Sequence, residues 1–164
     1  MPDSLSKILS DQLSSAVKSV QENMDNKDYN ASGEIKRSLL YVVKEDGNSI
    51  KGTISAFEGI KYAEKGQPPR PETQSLVEAI YKWMPYRGIG DGYSDIAKYS
   101  LAGYIANKIS RLGTKLWRDK GSKGQSRDIY TSVFDKTVDN INEKIKDIVS
   151  EQINKGVIDV FQKA

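Results

Sequence analysis

Residues 38–57 read SLLYVVKEDGNSIKGTISAF, and this stretch decides the β part of the fold. Two runs, Ser38–Glu45 and Ile50–Phe57, carry the β-branched, aromatic and alternating residues that are typical of strands. Between them, Asp46 and Gly47 form the pair that favours the positive φ of a hairpin turn. The first run is apolar on both faces, so we expect its strand to be the more buried of the two. The sequence therefore predicts an antiparallel β-hairpin.

Helical periodicity lies on both sides of this hairpin. Before it, apolar residues recur at three- and four-residue steps from Ser4 to Asn26. After it, the same spacing predicts helices over Glu72–Met84 and from Asp95 to Gly113, and a last helix over Asp128–Lys155 whose apolar spacing is close to that of a coiled-coil seam. The predicted fold is α+β, with a small antiparallel sheet built on the hairpin and flanked by long amphipathic helices, including a long N-terminal and a long C-terminal one.

The length of 164 residues suits one domain, so we expect residues 1–164 to form a single α+β domain. Residues 119–127 are charged and contain Gly and Ser without any periodicity, which predicts a flexible loop. Gly156 should interrupt the last helix, and residues 156–164 would then form a short apolar tail.

Residues 62–71, which read YAEKGQPPRP, are the candidate assembly element. Gly66 can adopt backbone conformations that are closed to other residues. Three prolines in the next five residues then fix φ and remove N–H donors. The sequence therefore predicts a stiff, extended arm that contacts another subunit or partner. The residues assigned to that contact are Tyr62, Glu64, Gly66, Pro68, Pro69, Arg70, Pro71 and, from a later segment, Trp117.

The composition argues against most enzyme chemistry. The chain has no Cys and no His, which excludes thiolate zinc sites and the Ser-His-Asp and Cys-His mechanisms. Carboxylate-only or Lys-based chemistry stays open, but no acidic pair has the apolar surroundings that raise a carboxylate pKa. Asp91 with Asp95 is the one compact acidic pair, and helix capping explains it more simply than a metal. We therefore expect no catalysis, metal or cofactor.

No stretch of 18 apolar residues and no secretory leader is visible in the sequence, so we expect a protein made in the cytosol without a membrane partner.

Positive charge is concentrated in the middle of the chain. Residues 82–127 hold 10 basic against 3 acidic residues, a net charge of +7, whereas the segments before and after it each carry −2. Such a segment contacts nucleic acid or an acidic protein surface, or it is simply a solvated loop. The residues that would face DNA or a lumen are Lys115, Arg118, Lys120, Lys123 and Arg127. No sequence-reading motif accompanies them, so we expect any contact to be with phosphates.

The aromatic residues around the arm and loops suit either a core or an interface, since Trp, Tyr and Arg are enriched at interfaces. We assign Trp83 to the core and Trp117 to the interface.

The order of these features resembles the order found in one protein family. An amphipathic N-terminal helix is followed by residues 31–39 (ASGEIKRSL), the hairpin, the Tyr62–Gly66 box with its prolines, a helix ending at Trp83 with a glycine loop, and a helix closing at Gly113. Over residues 1–150 this order is similar to that of the tail-completion, or head-tail joining, proteins of the neck of long-tailed bacteriophages. Ile35, Ala63 and Gln67 replace the Leu, Val and Thr that are usual in the family.

The resemblance implies an α+β virion protein, made in the bacterial cytoplasm, that forms a hexameric ring without catalysis. The implied neighbours are the head-connector or stopper protein and the tail-tube or tail-terminator protein, and the basic segment could face packaged DNA. The alternative is a nucleic-acid-associated binding module that uses residues 108–127.

Overall fold

The computed structural model describes residues 2–27, 33–47 and 49–162, with side chains from residue 5 to residue 153 of these ranges. The helices are α1 (Pro2–Asn26), α2 (Glu34–Arg37), α3 (Ile60–Lys65), α4 (Gln74–Trp83), α5 (Asp95–Leu112), α6 (Lys115–Asp119) and α7 (Thr131–Gln162), and the strands are β1 (Leu40–Asp46) and β2 (Ser49–Ser55). Two 3-10 turns cover Met84–Arg87 and Gly121–Lys123. The predicted α+β class, with its small antiparallel sheet and long terminal helices, is confirmed.

The chain divides into two compact units. Unit 1 comprises Met1–Glu22, Leu39–Ser55 and Tyr130–Ala164, and unit 2 comprises Asn23–Ser38 and Ala56–Ile129. Each unit buries apolar side chains of its own. That the whole chain acts as one domain stays a prediction.

In unit 1, the hairpin packs one face against α1. The register pairs Tyr41 with Ile54 and Val43 with Gly52. A Cβ on Gly52 would lie 2.6 Å from Leu13 Cδ1 of α1, so the bare glycine backbone allows this close contact. Because strand side chains alternate, Tyr41, Val43 and Ile54 share the face of Gly52.

The opposite face of the hairpin is exposed. Leu40 is 62% and Val42 48% accessible, and β1 contains one half-buried residue where β2 contains two. The prediction that β1 is the more buried strand is therefore wrong. Its continuous apolar run gives the strand two apolar faces, and among the described residues only the face of Gly52 is covered, by α1.

Helix α7 in unit 1 presents an apolar row to solvent. Its residues recur at helical spacing, and four of them are between 36% and 59% accessible: Val138, Ile145, Val149 and Ile153. The helix continues to Gln162, so the predicted interruption at Gly156 is wrong. A single glycine costs a helix about 1 kcal/mol relative to alanine, which is too little to end a long one. The side chains of the predicted apolar tail lie outside the described residues.

The core of unit 2 is built where α4 meets α5. Its buried residues are Leu76, Val77, Ile80, Met84, Ala102 and Ala106. The two alanines of α5 leave room for α4 to approach closely, because they add little side-chain bulk at the contact. Both helices begin at side-chain caps: Thr73 Oγ1 accepts from Leu76 N–H at 3.3 Å, and Ser94 Oγ accepts from Ala97 N–H at 3.4 Å.

Among the helices of the described residues, none combines the length and the apolar character that crossing a bilayer requires.

Candidate functional site: a groove in unit 2

The predicted arm begins later than the motif suggested, because Tyr62–Lys65 belong to helix α3. The helix ends at Gly66, whose φ of 77° and ψ of 168° lie in a region open essentially to glycine alone. A Cβ there would lie 2.3 Å from the backbone nitrogen of Trp117. Gly66 therefore both ends α3 and allows α6 to come close. Residues 66–73 then continue without regular secondary structure, as predicted for the part after Gly66.

Backbone hydrogen bonds tie this arm to its own chain. Gln67 N–H donates to Thr114 Oγ1 and Thr114 N–H donates to Gln67 O, each at 2.9 Å. Further along, Arg70 N–H donates to Ser110 O at 3.1 Å. Gly66 and Gln67 are buried, whereas Pro69, Arg70 and Pro71 are exposed and Pro68 is half-buried. The exposed part, residues 69–71, is the portion that can still reach a partner.

Three glycines pack closely around Trp117, Gly66 against its backbone and two others against its indole. Besides the contact at Gly66, a Cβ on Gly113 would lie 2.6 Å from Cδ1 of the indole, and a Cβ on Gly121 would lie 2.6 Å from Cε3. Trp117 is half-buried by these contacts within its own chain, and its assignment to an interface stays a prediction. The assignment of Trp83 to the core is wrong, because this side chain is 38% accessible.

A buried carboxylate fixes the end of the predicted loop at residues 119–127. Glu64 is fully buried, and its Oε2 accepts from Ile129 N–H at 2.5 Å while its carbonyl oxygen accepts from Arg127 N–H at 2.7 Å. Lys27 Nζ donates to Arg127 O at 2.8 Å, and Asn23 Nδ2 donates to Ile129 O at 2.9 Å. Glu64, assigned from sequence to a subunit contact, thus serves its own chain. The flexibility of residues 119–127 stays a prediction.

These elements border a groove of about 660 Å³ within unit 2, called here the unit 2 groove. Its wall is mainly apolar and comes from α4, α5, α3 and α6. The lining residues are Lys27, Gly33, Glu34, Ile35, Gly59, Tyr62, Gly66, Gln67, Leu76, Ala79, Ile80, Trp83, Arg87, Ile105, Ile109, Thr114, Lys115, Leu116 and Arg127. Concave, mostly apolar sites with a few polar groups are the usual form of binding sites.

The polar groups of the groove favour an anionic or oxygen-rich ligand. Of the residues that the structure describes, four basic ones and one acidic one, Glu34, line it. The amide nitrogen Nε2 of Gln67 is buried and makes no hydrogen bond in the described part of the chain. An unpaired buried donor is unusual in native proteins, and an acceptor oxygen would satisfy it. The described residues contain no group of three or more His, Cys, Asp or Glu suited to a metal ion. The arrangement can bind an oxygen-bearing group through these donors and cations.

The five basic residues that sequence analysis selected lie in different places in the structure. Lys115 and Arg127 line the unit 2 groove. Arg118 is exposed, and its Nη1 donates to Gly113 O at 2.7 Å, next to the C-terminal end of α5. Lys120 and Lys123 are exposed beside the second 3-10 turn. Two of the five therefore belong to the groove, which sequence reasoning did not foresee.

At the start of α5, Asp95 lies in the first turn after the cap Ser94. Tyr81 Oη donates to Asp95 Oδ1 at 3.4 Å. The negative charge of Asp95, helped by desolvation and by this hydrogen bond, raises the pKa of Tyr81 above its ordinary value. Asp95 thus lies in the first turn of α5 and accepts from Tyr81 of α4.

No protein-family model, curated protein or solved structure matches this chain. Its function must be argued from its residues and their geometry.

Proposed function

We propose that this chain is a structural virion protein of a bacteriophage neck, and that it forms an oligomeric ring joining the head connector to the tail. The observation that carries the proposal is the apolar row of α7, where Val138, Ile145, Val149 and Ile153 are 36–59% accessible in the single chain. A large exposed apolar surface marks an interaction site on a soluble protein. A row at this spacing is of the kind that packs against another helix or into a groove.

The exposed hairpin gives the proposal a second support. The described sheet has two strands, so each strand has an edge without a partner strand. Exposed strand edges readily pair with another chain. Leu40 and Val42 add apolar surface on the face that α1 does not cover. An assembly element of this kind suits a ring whose subunits contact neighbours on several sides.

The order of sequence motifs supports the proposal that the ring belongs to a phage neck. The long first helix, the hairpin, the Tyr62–Gly66 box and the helix ending at Trp83 follow one another as in tail-completion proteins. The first partners are then further copies of the chain, with six as the expected number. The next partners are the head-connector or stopper protein on one side and the tail-tube or tail-terminator protein on the other. The exposed tip of the arm, residues 69–71, is a candidate contact.

The test is to locate the protein in the particle and to measure its size. We expect the purified full chain to form a ring of uniform size by light scattering and electron microscopy, alone or with neck proteins encoded nearby. We also expect an antibody to an epitope tag on the chain to label the neck of intact particles. A chain that stays monomeric, retains no neck protein and leaves the neck unlabelled would overturn the proposal.

A second candidate is the nucleic-acid-associated module of residues 108–127. It is favoured by the exposure of Lys108, Lys115, Lys120 and Lys123, which leaves these cations accessible to phosphates. Binding to duplex DNA should weaken steeply as salt rises, because each phosphate contact releases counterions. Lys120→Glu combined with Lys123→Glu should reduce both the affinity and the salt dependence. An affinity that is unchanged across a salt series would count against this function.

A further inference from the structure

We infer that the unit 2 groove binds helix α7 of a second copy of this chain. The inference rests on the proposed function, since it names the two surfaces that would hold the ring together. A second copy is the occupant because one chain carries both a groove and a helix with matching properties.

The groove has an apolar wall on which a helix could pack. Leu76 and Ile80 of α4 are buried beneath it, and Ile105 and Ile109 of α5 contribute to the same wall. Trp83, at the end of α4, lines the groove while staying 38% accessible. A partly exposed tryptophan beside an apolar cavity is the kind of anchor that dominates interface energetics.

Helix α7 offers the corresponding apolar row. Val138, Ile145 and Val149 are exposed, and Phe134, Ile141 and Ile148 fill the same side at half-buried positions. With 100° per residue, these six side chains fall within about 100° of one another around the helix, which is the width of one binding face. A helix of this kind binds a groove through anchors at three- and four-residue spacing.

The charges of the two surfaces are complementary. Among the described residues, the groove is lined by Lys27, Arg87, Lys115 and Arg127 against the single acid Glu34. In the part of α7 with described side chains, five acids follow at four-residue steps with three lysines among them; the acids are Asp135, Asp139, Glu143, Asp147 and Glu151. Like charges four residues apart destabilise an isolated helix, and cations from a partner relieve that repulsion.

The first of these acids lies where the rim of a groove would meet it. Asp135 falls about 100° around the helix from Phe134, on the flank of the apolar row, whereas Asp139 and the acids after it turn progressively away from that flank. Lysine and arginine side chains lining the groove are long enough to extend along an apolar surface and keep their charge at its edge. An aspartate on the flank would then lie within reach of these cations while the apolar row is seated.

Gln67 supplies a directional contact. Its Nε2 is buried at the groove and makes no hydrogen bond in the described part of the chain. The acids and asparagines of α7 carry side-chain oxygens that accept hydrogen bonds. Seating an oxygen at this donor would complete a hydrogen-bonding set that the described residues of one copy leave incomplete.

The two surfaces differ, so the contact is heterologous. Each copy would give its α7 to one neighbour and receive α7 of another in its groove. A head-to-tail contact of this type closes into a ring when the rotation between neighbours divides a full turn. An isologous dimer would need one self-complementary patch instead.

Two variants that each block one surface test the inference. Ala79 is exposed and lines the groove, so Ala79→Glu adds bulk and a negative charge there without entering the core. Val149 is 48% accessible on α7, so Val149→Asp places a charge in the apolar row with little effect on the fold. We expect each purified variant to be monomeric by light scattering. A 1:1 mixture should give a heterodimer and nothing larger, since one intact groove and one intact α7 remain.

Neighbouring positions provide matched controls. Lys82→Glu changes the charge of α4 more than Ala79→Glu does, but Lys82 is exposed and does not line the groove. Ser150→Asp adds the same acid one residue after Val149, at an exposed position on the far side of the helix from the apolar row. Both controls should assemble like the parent chain, and circular dichroism should show every variant folded.

The outcomes separate this inference from the proposed function. If the parent chain forms rings and Ala79→Glu or Val149→Asp forms them equally well, the groove–α7 contact is wrong while the ring stands. A mixture of the two variants that stays monomeric also overturns the contact, because it shows that groove and α7 do not bind each other between copies. If the mixture dimerises but the protein is absent from the particle neck, the contact between groove and α7 is supported and the proposed neck function is wrong.

Discussion

The carboxylate of Glu64 accepts a hydrogen bond at 2.5 Å from the backbone N–H of Ile129, which lies 65 residues further along the chain. Both residues are fully buried. The carbonyl oxygen of Glu64 also accepts from Arg127 N–H, so side chain and backbone together hold the same segment. A buried carboxylate without such partners would be strongly destabilising, which makes this link a condition of the fold of unit 2.

Removing the Glu64 carboxylate should destabilise the protein. We expect Glu64→Ala to lower the free energy of unfolding by roughly 2–4 kcal/mol, because it deletes a charged acceptor and leaves the buried Ile129 N–H unsatisfied. Glu64→Gln keeps one acceptor oxygen and should lose about half as much. Urea unfolding measures both values. Glu22→Ala, on an exposed position of α1, is the control and should stay within about 0.5 kcal/mol. Equal losses at Glu64 and Glu22 would contradict the role of the buried bond.

The glycines provide a paired test of close packing. Gly66 and Gly124 have similar positive φ values, 77° and 72°, but different ψ values. With ψ of 6°, Gly124 lies in the left-handed helical region that other residues can enter, whereas ψ of 168° places Gly66 in a region open essentially to glycine. A Cβ on Gly66 would collide with Trp117 N, whereas a Cβ on Gly124 would meet nothing within 4 Å. We expect Gly124→Ala to cost about 1–2 kcal/mol from its backbone conformation alone. Gly66→Ala should cost at least about 3 kcal/mol, since strain and collision add. Thermal unfolding gives the comparison, and similar losses for the two would show that α6 does not pack tightly on Gly66.

Elements whose signals are local could be predicted from the sequence. The turn at Asp46–Gly47 and the period of two around it predicted the hairpin, and the helical spacing from Asp95 to Gly113 predicted α5. Helix α3 was missed, because its six residues are too few to show an amphipathic period. The prediction that β1 is the more buried strand was wrong. A continuous apolar run shows that both faces of a strand could be covered, but it does not show whether the fold covers one face or both.

The candidate site was only partly visible in the sequence. Tyr62, Gly66, Lys115 and Arg127 were singled out, but in separate segments and for separate reasons. The pairing of Gln67 with Thr114 brings those segments to one groove, and 47 residues of sequence separate the two. Sequence patterns identify the apolar faces of α4 and α5 without showing where the two helices leave a gap, and no pattern indicated Gln67 as an unpaired donor.

The prolines of the arm should matter more for assembly than for stability. Pro69 and Pro71 are exposed, and the Arg70 N–H bond to Ser110 O keeps the segment attached without them. Pro69→Ala with Pro71→Ala should therefore lower the free energy of unfolding by only about 1–2 kcal/mol, through the entropy of the unfolded chain. The self-association constant, measured by sedimentation, should fall by a larger factor. Pro85→Ala, at an exposed proline outside the arm, should leave association unchanged. If stability falls as much as association, the arm is part of the fold and not a contact.

The last prediction concerns high pH at the junction of α4 and α5. The charge of Asp95 raises the pKa of Tyr81 in the folded protein, so the neutral phenol is favoured there more than in the unfolded chain. The stabilisation is fully present below the unfolded pKa of about 10 and is lost as pH rises through the folded pKa. Asp95→Asn removes the main cause and should return the pKa of Tyr81 toward its ordinary value, as followed by NMR of the ring carbons. Asp91→Asn, the control, should leave it unchanged. A Tyr81 pKa that is identical in the parent and in Asp95→Asn would show that this carboxylate does not govern the phenol.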